Sequence, residues 1–275
     1  MKSQSYELIY SQNQAVRRYP EGDVAAFASS LEYPRILLDL GTGTGRNLLP
    51  LLCKVVANGM VVGADIAQSG MDIISNWAIG LGAIKLDKKQ LTVDEGLTIG
   101  DSGIPTDDVI FFRIPRHENV SYLGPCGLFQ RSTKENSVVL ALLISGSNML
   151  PAAIKKESVS GIVNRGSIFY LSSKDIQISI EAIYSTLCRG GRMLLTLKST
   201  KDSRWQSEQR IPTEPFRRAQ IHGPQKGLEM QFFDKVRALA LINRFKLLNI
   251  QHVLSNDIVT GSILSDFIIT VEKEV

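Results

Sequence analysis

Apolar residues along this chain fall into two patterns. In one they run together over a few positions and stop at a glycine or a polar turn. "RILLDL" (35–40), "MVVGAD" (60–65), "SVVLALLIS" (137–145) and "RMLLTLKS" (192–199) are such runs. They are short for helices, so each predicts a strand buried on both faces. "SVSGIVNRGS" (158–167) adds a strand that enters a polar turn. In the other pattern apolar residues recur every three or four positions. "GDVAAFASSL" does so at Val24, Phe27 and Leu31, and "SKDIQISIEAIYSTLC" (173–188) at Ile176, Ile180, Ile183, Tyr184 and Leu187. The second of these has a cap in Ser172 or Ser173 and a stop in Gly190-Gly191. "RNLLPLLCKVVANG" (46–59), "SGMDIISNWAIGLG" (69–82) and "FFDKVRALALINRF" (232–245) predict further helices. "KLLNIQHVLS" (246–255) and "SDFIITVEKE" (265–274) close the chain as two strands with nothing helical between them. Strands alternating with helices predict a doubly wound, mostly parallel α/β sheet, and the last two strands an antiparallel hairpin at its edge.

Residues 83–136 break this rhythm. They hold several glycines and prolines and one strand candidate, "DVIFFRI" (108–114). They read as an insertion, a lid or substrate cap, within a single domain spanning 1–275. The 275-residue length and the 44% hydrophobic and 21% charged composition fit one such domain. A formal net charge of +4 helps to draw in an anionic ligand, but it is small for a nucleic-acid binder. Cys53, Cys126 and Cys188 form no CxxC pair, so no metal site is expected and a reducing, cytoplasmic setting is the simpler reading. The N-terminus lacks the apolar stretch of a signal peptide, and no apolar run is long enough to span a membrane.

The chemistry concentrates at "ILLDLGTGTGRN" (36–47), where a strand runs through three alternating glycines toward a helix. Such a turn lets a ligand approach the backbone, although a tight turn with no ligand would have the same composition. The nicotinamide and flavin fingerprint is G-x-G-x-x-G, whereas Gly41, Gly43 and Gly45 are spaced G-x-G-x-G. Asp39 would sit badly beside a pyrophosphate and well beside an ammonium group, unless it merely caps the turn. Asp65, at the end of the second strand, is placed to accept both ribose hydroxyls of an adenosine cofactor. S-adenosylmethionine carries an ammonium, a carboxylate, a sulfonium and an adenosine.

"LLDLGTGTGRN" followed by "VVGAD" resembles the first two motifs of the class I S-adenosylmethionine-dependent methyltransferases. "SGSNMLPAAIKKESVSGIVNRGSIFYL" is similar to that family's third-strand turn and the strand after it. "IEAIYSTLCRGGRMLLTL" resembles its helix–turn–strand, and "EMQFFDKVRALALINRFKLLNI" with "LSDFIITVEK" its closing helix and hairpin. The resemblance covers 35–79 and 137–275. It implies a Rossmann-like methyltransferase fold with a seven-stranded sheet and S-adenosyl-L-methionine as cofactor. It places Asp39, Gly41, Thr42, Gly43, Gly45, Asn47 and Ile66 along the cofactor, with Asp65 at its ribose. Asn148, Met149 and Asn164 complete that set. Two acids of the pattern are absent: Gly146 stands where the adenine-binding acid is usual, and Val159 is followed by Ser160 and Gly161. Asp101, in "TIGDSGIP", is an alternative adenine contact.

In this fold Asn164 and Arg165 lie above the transferred methyl group, so substrate contact and a structural role are both open to them. His222, in the loop before the last helix, is a candidate base or substrate contact, and His117 a weaker one. His252 reads as a strand-face residue. Tyr6, Tyr10 and Tyr19 precede the core, where they either pack or cover the cofactor. The basic run at 198–218 reads as a solvated face or as a site for an anionic substrate. The implied reaction moves a methyl group in line to O, N or S of a small or medium-sized acceptor, which needs orientation more than a catalytic triad. A catalytically silent binding or scaffold protein is the alternative, and an RNA or protein methyltransferase is disfavoured by the mild charge.

Overall fold

The computed structural model describes residues 19–57, 59–86, 109–115, 122–124, 127–129, 137–144, 154–221 and 226–274. Five parallel strands form the centre of the sheet. They are β1 (Ile36–Leu40), β2 (Met60–Asp65), β7 (Ser137–Ile144), β8 (Val159–Asn164) and β9 (Leu187–Ser199), in the order β7-β2-β1-β8-β9. Every residue of β1 and β2 is buried, which is why their sequences do not alternate. β14 (Ile263–Glu272) lies antiparallel against β9, and β13 (Lys246–Asn256) antiparallel against β14. These seven strands are the expected sheet with its edge hairpin.

Two additions extend it. Between the second and third parallel strands, β3 (Ile84–Leu86) and β4 (Val109–Pro115) join antiparallel along β7, and β5 (Tyr122–Gly124) pairs with β6 (Gly127–Phe129) as a separate ribbon. The other addition lies where the basic run and the loop before the last helix are expected. It is a ribbon of β10 (Gln209–Ile211), β11 (Glu214–Ala219) and β12 (Glu229–Phe233). Lys198 of β9 pairs with Asp266 of β14 and also with Phe232 of β12. A strand residue has one neighbour on each side, so β12 occupies the edge of β9 that β8 leaves free beyond Asn164.

Helices cover both faces. α1 (Gly22–Ser30), α2 (Leu48–Lys54) and α3 (Gln68–Gly80) pack one apolar cluster with Leu37, Val61 and Leu140. α4 (Ser173–Thr186) and α6 (Lys235–Leu241) pack the other with Leu38, Val62 and Leu195. α5 (Arg204–Ser207) is one turn after β9. Ser172 caps α4, its Oγ accepting from Asp175 N at 3.1 Å.

Three helices are shorter than their patterns. α2 ends at Lys54 because Val55 turns extended. α4 ends at Thr186 because Leu187 enters the ladder beside Val159, before the two glycines are reached. α6 begins only at Lys235: Phe232 and Phe233 belong to β12, and Asp234 caps the helix by accepting from Arg237 N at 2.8 Å. Among the described residues no helix is long and apolar enough to cross a membrane.

Candidate functional site

The carboxyl ends of β1 and β2 meet at the glycine turn. Gly41, Gly43 and Gly45 have φ of 71°, 57° and 82°, the left-handed region where a side chain is strained. Two of the three are also crowded. A Cβ on Gly41 would lie 2.1 Å from Ser167 Cβ, and one on Gly45 would lie 2.7 Å from Ile74 Cγ1. Ser167 follows β8 and Ile74 lies on α3, so the bare backbone lets the chain close on its own turn.

Four amides of the turn are engaged. Gly41 N and Thr42 N both donate to Ala64 O, at 2.8 and 3.1 Å. Gly43 N donates to Asp65 Oδ2 at 2.8 Å, and Gly45 N to Thr42 O at 2.9 Å. A pyrophosphate cradle needs such N–H groups free. These four already donate within the chain, which argues against a nicotinamide or flavin nucleotide on independent grounds from the glycine spacing.

Asp65 stands at the rim, 9% exposed. Its Oδ1 accepts from Ala67 N at 3.0 Å as its Oδ2 accepts from Gly43 N. Two backbone donors, one on each oxygen, fix the plane of this carboxylate at the carboxyl end of β2. Ile66 beside it is 40% exposed, an apolar surface next to the carboxylate. Asp39 lies deeper, beneath the turn and 1% exposed, with Oδ2 accepting from Thr42 Oγ1 at 2.8 Å. Burial pushes its carboxyl up to about 7, the Thr42 hydrogen bond and Arg46 acting against the rise and the Asp65 charge adding to it.

The other expected site residues hold the frame. Asn47 is buried, and its Oδ1 accepts from Glu21 N at 3.2 Å. Glu21 also pairs with Arg46, and Arg165 pairs with Asp23 at 2.8 Å and with Glu21 at 3.7 Å. The segment entering α1 is thus tied to the glycine turn and to the end of β8. Asn164 Oδ1 accepts from Ile168 N at 3.1 Å and lies 2.9 Å from Ser167 Oγ. That hydroxyl shares its one hydrogen between Asn164 and Leu40 O, also 2.9 Å away. Tyr19 is exposed. His252 stacks on Phe267 and places Nε2 2.8 Å from Ser265 Oγ and 3.0 Å from Ser199 Oγ. Tyr6, Tyr10, Asp101, His117, Asn148, Met149 and His222 lie outside the described residues.

The basic run is the clearest departure from the sequence reading. Lys201 and Arg210 are exposed, as a solvated face requires, but Lys198, Arg217 and Arg218 are 9%, 2% and 1% exposed and belong to no such face. Arg217 pairs with Glu214 and Glu229 at 3.2 and 2.8 Å. Arg218 has its guanidinium 3.5 Å from the Trp205 ring centre and donates to the carbonyls of Trp205, Pro215 and Arg217. Lys198 Nζ lies 2.8 Å from Asp266 Oδ1 and 3.8 Å from Asp202 Oδ2, beside the Phe169 ring. Burial pulls the Lys198 ammonium below the usual lysine range, with Asp266 opposing. The signal for it was in the sequence: Leu194, Thr196 and Lys198 share one face of a strand buried on both sides.

No protein-family model and no curated protein matches the chain by sequence. Solved structures do match by fold. A SAM-dependent methyltransferase from Methanosarcina mazei superposes with a TM-score of 0.58 at 13% identity, over 91% of this chain and 97% of that one. The 1,6-didemethyltoxoflavin-N1-methyltransferase of Burkholderia thailandensis, with bound 1,6-didemethyltoxoflavin and S-adenosylhomocysteine, gives 0.57 at 13% identity, over 100% of this chain and 88% of that one. An arsenic(III) S-adenosylmethionine methyltransferase of Chlamydomonas reinhardtii gives 0.50 at 14% identity, over 93% and 75%. The fold of this chain is the Rossmann-like methyltransferase fold.

Proposed function

We propose that this chain binds S-adenosylmethionine across the ends of β1 and β2 and transfers its methyl group to a small or medium-sized acceptor. The observation that carries the reading is Asp65. Two backbone amides hold the plane of its carboxylate at the carboxyl end of β2, next to the glycine turn and beside an exposed Ile66, where a ribose diol would meet it. Asp39 beneath the turn, its carboxyl raised to about 7 by burial, is readily ionised by an ammonium above it and disfavours a phosphate there. The engaged amides of Gly41, Thr42, Gly43 and Gly45 point the same way.

The bound cofactor supplies an activated methyl group on a sulfonium, with a neutral leaving group. The chain's own task is to hold donor and acceptor in line and to exclude water. Asp65 orients the sugar. Arg46, Arg165 and Asn47 fix the segment that enters α1 against the end of the sheet. The β10–β12 ribbon stands over the carboxyl end of β8, where the acceptor side of such a site lies. Small-molecule methylation by two of the fold neighbours supports an acceptor of that size.

A second reading, a binding protein without turnover, draws on Ser167, whose side chain fills the space in front of Gly41. Calorimetry with S-adenosylmethionine and S-adenosylhomocysteine tests binding, and release of S-adenosylhomocysteine from candidate acceptors separates the two readings. A folded chain that binds neither compound refutes both.

A further inference from the structure

Two guanidinium groups stand beside the glycine turn. Arg46 follows Gly45 directly, and Arg165 follows Asn164 at the carboxyl end of β8. One carboxylate bridges them. Glu21 Oε1 lies 2.5 Å from Arg46 Nη1, and Glu21 Oε2 lies 3.7 Å from Arg165 Nη2. The backbone of Glu21 is fixed independently of that contact. Its N donates to Asn47 Oδ1 at 3.2 Å, and its O accepts from Val24 N and Ala25 N at 3.1 and 3.2 Å. Glu21 is the N-cap residue of α1, yet its side chain makes no capping hydrogen bond, and 28% of that side chain is exposed. The carboxylate can therefore turn out to solvent while the chain around it stays in place. Arg165 keeps a partner when it does, because its Nε lies 2.8 Å from Asp23 Oδ2.

We propose that Arg46 takes the carboxylate of the bound cofactor, and that Glu21 holds the same position until the cofactor arrives. The inference rests on the proposed binding of S-adenosylmethionine across the ends of β1 and β2. That compound ends in an amino acid whose ammonium and carboxylate share one carbon, so their partners must be neighbours. Asp39 suits the ammonium, and Arg46 is close enough to Asp39 to oppose the rise of its carboxyl. The amides of Gly41, Thr42, Gly43 and Gly45 already donate within the chain, so a carboxylate there needs other donors. A guanidinium presents a fork of N–H groups that matches a carboxylate, and the Glu21 contact shows that a carboxylate reaches this one. Exchanging one carboxylate for another leaves Arg46 paired in both states, so neither state strands its charge. A ligand with base and sugar but no amino acid has nothing with which to displace Glu21.

Calorimetry on the full chain with S-adenosylmethionine and with 5′-methylthioadenosine tests the exchange. The second compound keeps the base, the sugar and the sulfur but lacks the amino acid. Glu21→Gln removes the competing charge and should tighten S-adenosylmethionine binding about threefold or more, whereas Arg46→Gln should weaken it at least about tenfold, the low end for a hydrogen bond between charged groups. Both variants should bind methylthioadenosine within about twofold of the parent, a difference near 0.4 kcal/mol at most. The direction for Glu21→Gln is diagnostic. S-adenosylmethionine carries a net positive charge, so losing an acid that acted only through its field, or only as a support for Arg46, would weaken binding. Unchanged or weaker binding by Glu21→Gln, or equal losses of both ligands in Arg46→Gln, overturns the proposal and leaves the cofactor reading standing. A thermal melt identifies the folded variants, and Glu21→Gln decides the question should Arg46→Gln unfold. A folded parent chain that binds neither ligand overturns the cofactor reading and this proposal with it.

Discussion

Replacing Asp39 with asparagine should stabilise the protein and weaken its cofactor binding, both in a pH-dependent way. Asp39 is fully enclosed, and its carboxyl is raised from 3.8 to about 7, chiefly by burial. A carboxyl raised in the folded state holds its proton more tightly there than in the unfolded chain. Native stability is therefore lost as pH climbs from 3.8 to about 7, and the loss is complete above that. At 1.36 kcal/mol per tenfold change in proton affinity, the interval corresponds to about 4 kcal/mol at pH 8. Asparagine removes that cost and still offers Thr42 an acceptor, but its amide adds buried donors that cost ~1–3 kcal/mol if unpaired. The net gain is about 2 kcal/mol at pH 8, or roughly 4–8 °C in Tm for a chain of this size. By pH 4 the aspartate is protonated in the fold, so the gain should vanish or reverse. Thermal melts of both proteins from pH 4 to 8 measure this. A Tm difference that is flat across the range would refute the buried-carboxylate argument. Calorimetry on the same pair should show weaker S-adenosylmethionine binding by the variant at pH 8, because the ammonium loses its ionised partner.

Asp65→Ala should weaken cofactor affinity by roughly 1.5–3 kcal/mol, the range for hydrogen bonds to a charged group, as read by calorimetry on the folded variant. Gly41→Ala meets both a left-handed φ and Ser167. It should destabilise more than Gly166→Ala, where φ is 89° but nothing lies within 4 Å, and Ser167→Gly should recover part of the difference in urea unfolding. Lys198→Met strands Asp266 and should cost ~3–5 kcal/mol at pH 7. Adding Asp266→Leu should restore much of that, and a double variant as unstable as the single one would show that the ion pair is not the cause.

The strands of the central sheet were legible because burial on both faces leaves unbroken apolar runs, as in β1, β2 and β7. Their order was not, since nothing in a run of leucines and valines names its neighbour. The structure supplies it, whereas Asp39 and Asp65 stood out in the sequence because a carboxylate before a glycine turn and another at the next strand's end suit an ammonium and a ribose. The stretch from 200 to 230 was misread for a physical reason. Arg217 and Arg218 are adjacent on a strand and so point to opposite faces, yet both are buried, one against two glutamates and one against Trp205 and carbonyls. Charge signals solvent until such partners are known, and these partners are supplied by the ribbon's own fold. Phe232 and Phe233 were assigned to a helix for a similar reason. Apolar pairs suit either element, and only the cap at Asp234 marks the boundary.

The inward-turned amides of the glycine loop carry a consequence for selectivity in a cell. Adenine nucleotides vastly outnumber most other adenosine compounds there, and a site that recognised only base and sugar would be clogged by them. A loop whose Gly41, Thr42, Gly43 and Gly45 hydrogens already belong to Ala64, Asp65 and Thr42 offers a triphosphate tail none of those four donors. On the proposed function, ATP should therefore compete poorly with S-adenosylmethionine, and displacement calorimetry with both ligands would measure it.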